Sequence, residues 1–380
     1  MQTALRELRI IIDYEPVIFN HLQFHQLIDI AIHTDSEIIH TLVMYILDKI
    51  TEYQQDLLNR LVPLDFLSLF FTQLPNKNLL IVMSNFIPVL EGLPEYLVEY
   101  GIFELLYPYV VKPIPNITKE CLTVIKRLAK FSYTDISYIE ILCNYMLIED
   151  INSSLLVSAL DTISIICEVN SQARAFVLKN FLTAELLSSE KYFKHILAIY
   201  ISCFLTDYDQ TMSLITPDSI LQFLSFENEN KVKGTVYFFY RISKTQLGAD
   251  LIWNNPEIYH SLIQILLKPD LKFKIIQNAL KAFTTSVIRA QSNIDPKIFL
   301  ENDIFSTICE MTQTSHKSQL KQNLNCILKI LEFTKATDTS VFDELANSET
   351  LFTLLEDVNN NKEEQINDLV NQIYAVVEEY

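Results

Sequence analysis

Residues 248–267 read GADLIWNNPEIYHSLIQILL. A short apolar segment ends at Trp253, the polar break Asn254-Asn255-Pro256 follows, and an apolar block then runs to Leu267. After the turn KPD at 268–270 a longer stretch begins near 272, with apolar residues three and four apart. That spacing is the signature of a helix with one buried face, and Asn, Asp and Pro clusters are where such helices stop. The stretch therefore reads as a short segment, a helix, a turn and a longer helix.

The same grammar recurs along the chain, and internal repetition decides a fold before any local detail does. The apolar block appears as FHQLIDIAI from 24, LDFLSLFF from 64, IFELLYPYV from 102, ILCNYMLI from 141 and FLTAELLS from 181. It returns as SILQFLSF from 219, HSLIQILL from 260, IFSTICEM from 304 and LFTLLEDV from 351. Successive blocks are 38 to 47 residues apart. Polar turns such as QLPNK, EDINS and ENENK follow the blocks, and longer helices are predicted to begin near 38, 78, 118, 153, 191, 231, 272, 317 and 362. No helix pair of this kind can hide its apolar faces alone, whereas stacked pairs bury one another. The expectation is an all-α chain, an α-solenoid of about nine repeats forming one domain over 1–380. Residues 1–23 would be an N-terminal capping helix and 351–380 an acidic C-terminal capping repeat. An irregular helical bundle is the alternative. Only four glycines occur in 380 residues, too few for the turns and phosphate loops of an α/β enzyme.

NSQARAFVLKNFLTAELL (170–187), GADLIWNNPEIYHSLIQILL and LLIVMSNFIPVL (79–90) resemble the armadillo repeat family, with three helices and about 42 residues per repeat. In the last of these, Asn85 stands at the family's third-helix asparagine position. HEAT repeats are similar enough to stay open as the subtype. The resemblance implies a superhelix whose third helices line a concave groove for extended peptides. Two departures stand out: the glycine that often opens the second helix is mostly missing, and there is no tryptophan–asparagine array, since the sole tryptophan, Trp253, falls in a connecting segment and Ile81 precedes Asn85 by four. Five of the twelve prolines lie within 88–115, and Pro88 is predicted to kink or shorten the helix that begins near 78.

The net charge of −18 is unevenly distributed. Residues 231–335 carry 14 basic against 8 acidic side chains, a net of +6, while 336–380 carry one lysine against 11 acids. The overall balance argues against nucleic acid or an anionic membrane as partner. The six cysteines lie in apolar runs without a Cys-x-x-Cys pair and read as small core residues of a reducing compartment. No stretch reaches the roughly 18–20 apolar residues of a membrane span, and the N-terminus lacks the apolar core of a signal peptide. The expected protein is a monomer of the cytoplasm, also compatible with the nucleus.

Three histidines and an aspartate, His21, His25, Asp29 and His33, form a stripe along one predicted helix. A metalloprotease helix would need a glutamate directly after its first histidine, and Leu22 stands there. The stripe borders the apolar face, where amphipathic polar residues belong. No phosphate-loop, dinucleotide or nucleophile-elbow motif is present. The chain is read as a non-enzyme, without cofactor or metal.

Aligning the longer helices on the polar residue after their central apolar pair yields Asp48, Asn85, Arg127, Thr162, Ser202, Arg241, Thr285, Lys329 and Gln372. Such a ladder would hydrogen-bond an extended backbone. The basic excess falls on these helices at Lys126, Arg127, Lys130, Arg241, Lys244, Lys281, Arg289, Lys321 and Lys329, with Tyr237 and Tyr240 as aromatic anchors. The expected function is a scaffold or adaptor that binds an acidic or phosphorylated segment of another protein. The rivals are an adaptor similar to importin-α, which would need acidic groove residues for basic signals, and a regulatory subunit of an enzyme complex. The acidic C-terminus is expected to cap the last repeat, with competition for the basic groove as the alternative.

Overall fold

Three of the polar turns ahead of the longer helices supply a side-chain cap among the described residues. A computed structural model describes residues 1–14, 24–53, 76–183, 191–214, 228–268, 270–291, 294–359 and 363–378, with four isolated positions between 186 and 224. Each of the nine longer helices begins within three residues of its predicted start. Among the described residues the regular structure is helical, with no strand.

The chain divides into two compact units, Met1–Leu182 and Thr183–Tyr380. The first holds α1 (Gln2–Tyr14), α2 (Phe24–His33), α3 (Glu37–Tyr53), α4 (Lys77–Phe86), α5 (Leu93–Glu99) and α6 (Ile102–Val111). It continues with α7 (Pro115–Ala129), α8 (Ser137–Asn144), α9 (Ser153–Val169) and α10 (Ser171–Asn180). The second unit begins with α11 (Phe193–Thr206), α12 (Tyr208–Leu214), α13 (Glu229–Ile242), α14 (Gln246–Trp253), α15 (Pro256–Leu266) and α16 (Phe273–Arg289). It ends with α17 (Ile304–Gln313), α18 (Lys317–Thr337), α19 (Thr339–Ala346), α20 (Glu349–Val358) and α21 (Glu364–Glu378).

The opening stretch folds into a three-helix repeat, with α14, α15 and α16 at 8, 11 and 17 residues. The trio α5, α6, α7 repeats the short–medium–long order, as does α19, α20, α21. Departures from it among the described residues include the repeats that end in α9 and α18. Between α7 and α8 the short helix is replaced by turns, with Ser132 at φ 69°. Ahead of α17 stand two 3₁₀ turns, Pro296–Phe299 and Glu301–Asp303. Trp253, expected in a connecting segment, is the last residue of α14 and only 6% exposed. Its ring packs against Tyr259, Phe283 and Phe299, because a short helix laid across two longer ones must bury its apolar side.

Asparagines in the polar turns cap three of the long helices. Asn76 accepts from the backbone N–H of Asn78 and Leu79, Asn152 from Ser154 and Leu155, and Asn228 from Asn230 and Lys231. Each satisfies donors that a helix start leaves open. α4 stops after ten residues, where α7 has 15 and α9 has 17. After the bond from Ile87 N–H to the Met83 carbonyl the ladder is interrupted at Pro88, which has no donor, and Val89 and Leu90 both donate to the Phe86 carbonyl in a turn.

From α4 onward in the first unit, and throughout the second, the long helices lie side by side in chain order. In the first, α4 packs on α7 and α7 on α9; in the second, α11, α13, α16, α18 and α21 form a continuous row. Contact between α11 and α13 depends on Gly234, where a Cβ would come within 2.8 Å of the Phe193 ring. The core is apolar and rich in aromatic rings, with Phe238, Phe239, Phe283 and Phe342 among its buried side chains. Burying each such ring is worth roughly 1.5–3 kcal/mol. α21 belongs to this row: Ile366, Val370 and Ile373 are buried, Lys335 Nζ donates to the Val376 carbonyl at 3.0 Å, and Lys317 pairs with Glu363 at 2.9 Å.

Candidate functional site

The row of long helices in the second unit leaves a depression of about 710 Å³ along one side. Its walls come from four helices in succession: Tyr240 and Lys244 at the end of α13, Thr285, Ile288 and Arg289 on α16, Lys321, Gln322 and Asn325 on α18, and Gln365, Asp368, Leu369 and Gln372 on α21. Helical spacing explains the grouping, since residues three, four and seven apart share a face. Lys244, Arg289, Lys321 and Asp368 are exposed, and none forms an ion pair among the described residues.

Cations and rings are interleaved at the α13 end. Lys244 Nζ lies 4.6 Å from the Tyr240 ring centre and Lys281 Nζ 5.8 Å from it. Arg241 sits 5.9 Å from the Tyr237 ring and donates from Nη1 to the Tyr237 hydroxyl at 3.2 Å. The two tyrosines meet edge to face with centres 6.3 Å apart. Such contacts hold the cations in place without neutralising them, because a ring carries no net charge. Lys321 Nζ donates to Gln365 Oε1 at 2.6 Å, again a neutral partner. Gln322 Nε2 donates to the hydroxyls of Thr284 and Thr285 at 3.0 and 2.7 Å.

The first unit has a smaller counterpart, a depression of about 390 Å³ lined by Thr123, Lys126, Arg127 and Lys130 with Asp161, Ser164 and Ile165 from α9. Lys126 and Arg127 are half-buried and Lys130 is exposed. Asn85 is half-buried on the neighbouring α4. Lys329 is exposed on α18, two turns beyond Gln322, and does not line the depression of the second unit.

Two rungs of the aligned ladder, Thr162 and Ser202, turn inward, and Thr285, though mostly buried, lines the depression. Thr162 is fully buried and donates to the Ser158 carbonyl at 2.7 Å, Ser202 donates to Ala198 at 3.1 Å, and Thr285 receives the Gln322 amide. A hydroxyl can satisfy itself on the carbonyl four residues back and so be buried, which a sequence alignment cannot see. The side chain of Asp48 lies outside the described residues. Sequence reasoning missed Ile288, Asp368 and Leu369. The last two share the spacing 365, 368, 369, 372 on α21, a single helical face that was legible in QINDLVNQ.

The side chains of His21 and His25 lie outside the described residues. His33 is exposed, with Nδ1 3.0 Å from the Asp29 carbonyl and 3.1 Å from its carboxylate. Among the described residues no three His, Cys, Asp or Glu side chains converge as a metal site would require, and no helix is long and apolar enough to cross a membrane.

No protein-family model matches the chain. No curated protein sequence matches it. Among solved structures it is similar to an engineered protein at 11% identity, covering 94% of this chain and 99% of that one with a TM-score of 0.49. It is also similar to computationally designed armadillo repeat proteins for modular peptide recognition, at 15% identity over 64% of this chain and 99% of that one, TM-score 0.49. A designed armadillo repeat protein in complex with the peptide (KR)4 is similar at 12% identity, over 62% of this chain and 98% of that one, with a TM-score of 0.46.

Proposed function

We propose that this chain is a non-enzymatic scaffold that binds an extended acidic or phosphorylated segment of another protein along its long helices. The observation that carries the reading is the set of exposed, unpaired cations in one depression of a chain whose net charge is −18. A protein with excess carboxylates leaves three cations of one depression unneutralised, which favours an anionic partner in electrostatics and in encounter rate. An adaptor for basic peptides would need carboxylates there instead, and each depression carries one aspartate, Asp161 or Asp368.

The test is capture of proteins from cell extract by the wild-type chain and by a variant combining Lys244→Glu, Arg289→Glu and Lys321→Glu. Extract is used before and after phosphatase treatment, and circular dichroism checks folding. The expected result is a set of proteins lost from the folded variant, with part of the set lost after phosphatase. Capture unchanged by the triple reversal would overturn the reading.

A further inference from the structure

The depression of the second unit is positive on one side only. Lys244, Arg289 and Lys321 come from the α13, α16 and α18 side, while Asp368 faces the same space from α21. No ion pair joins Asp368 to any of the three, although all four line one depression. Lys321, the cation packed against α21, is held by Gln365, one turn before Asp368 on the same face. α21 thus offers that lysine a neutral acceptor and keeps its carboxylate unneutralised. A uniformly acidic segment gains on the α13–α18 side and is repelled at Asp368. A segment carrying both signs in order gains on both sides. Ile288 and Leu369 line the same depression and offer apolar surface on which the methylene stem of a lysine or arginine can rest.

We infer that the site recognises a dipolar peptide: a phosphoserine or phosphothreonine seated among Lys244, Arg289 and Lys321, with a lysine or arginine a short fixed distance away reaching Asp368. This rests on the reading given under Proposed function and makes it narrower. Three cations lining one depression suit a phosphate dianion, with its three acceptor oxygens, better than a single carboxylate.

The experiment uses the full chain and two degenerate peptide libraries, one with a central phosphoserine and its twin with serine, with the retained peptides sequenced. The expected outcome is preference for the phosphoserine library and enrichment of Lys or Arg at one offset from it. Arg289→Glu should lower retention of the phosphoserine library by about tenfold or more. Asp368→Lys should remove the basic enrichment while phosphoserine preference persists, and Asp368→Asn should weaken that enrichment without a charge reversal on α21. Melting curves confirm that each variant folds. Phosphoserine preference without basic enrichment, or enrichment that survives Asp368→Lys and Asp368→Asn alike, overturns the dipolar inference and leaves the broader reading standing. Indifference of the wild-type chain to phosphoserine, with no acidic residues enriched in either library, overturns both.

Discussion

Gly248 occupies the third position of α14, and a Cβ there would sit 2.1 Å from the Ile242 carbonyl oxygen. That oxygen cannot retreat freely, since it accepts from both the N–H and the hydroxyl of Thr245 at 2.9 Å. Gly248→Ala should therefore destabilise the second unit by about 1–3 kcal/mol, the cost of overpacking, as read from chemical denaturation. In the first unit His40 is half-buried, its Nε2 has no partner, and burial first and the Lys77 ammonium second hold its pKa below the ordinary histidine value. A depressed histidine binds fewer protons folded than unfolded, so stability is full above the unfolded value of roughly 6.5 and falls as pH drops through the folded one. Melting temperature measured from pH 8 to 5 should fall less steeply for His40→Gln than for wild type; parallel curves would remove His40 from the account.

At the scale of single elements, helix starts and stops explain more than propensity does. Asn152 caps the 17-residue α9 by accepting two backbone N–H groups, at 2.9 and 3.2 Å. Asn152→Ala should cost about 1 kcal/mol in urea denaturation of the first unit, while Asn152→Asp should retain most of the stability. The boundaries of the long helices were legible because caps and prolines are local signals. The ladder was legible only in part, because Thr162 and Ser202 are polar in sequence yet turned into the structure. α21 is an element of the stack, with three aliphatic residues buried and a wall of the depression on its surface. Deleting 364–378 would expose the α18 surface that α21 covers. The expected result is a lower melting temperature and aggregation, measured by light scattering, with no gain in capture of phosphorylated partners. A soluble, stable deletion with stronger capture would instead make the acidic helix a competitor.

For the whole molecule, division into two units predicts that they can be followed separately. Trp253, the sole tryptophan, is buried in the second unit, so its fluorescence reports that unit while helix content reports both. Fluorescence and circular dichroism should give non-coincident denaturation curves; one shared curve would mean a single cooperative block. All six cysteines are buried, and burial raises the thiols of Cys121, Cys143 and Cys309 to about 12. Thiolate is the reactive form, so labelling near neutral pH should wait on unfolding. Cys121, Cys143 and Cys167 would then report the first unit, and Cys203, Cys309 and Cys326 the second.

The sequence by itself determined the all-helical repeat, the starts of its long helices and the early end of α4 at Pro88. Hydrophobic period, caps and missing donors act over a few residues, so they can be read along a line. Tertiary structure alone decided which basic residues share a depression, that Asp368 lines it with Lys244, Arg289 and Lys321, and that two apparent rungs of the ladder, Thr162 and Ser202, face inward. These depend on the rotation of each helix about its axis. Adjacent residues are about 100° apart around that axis, so a register one residue wrong moves a side chain from the groove into the core.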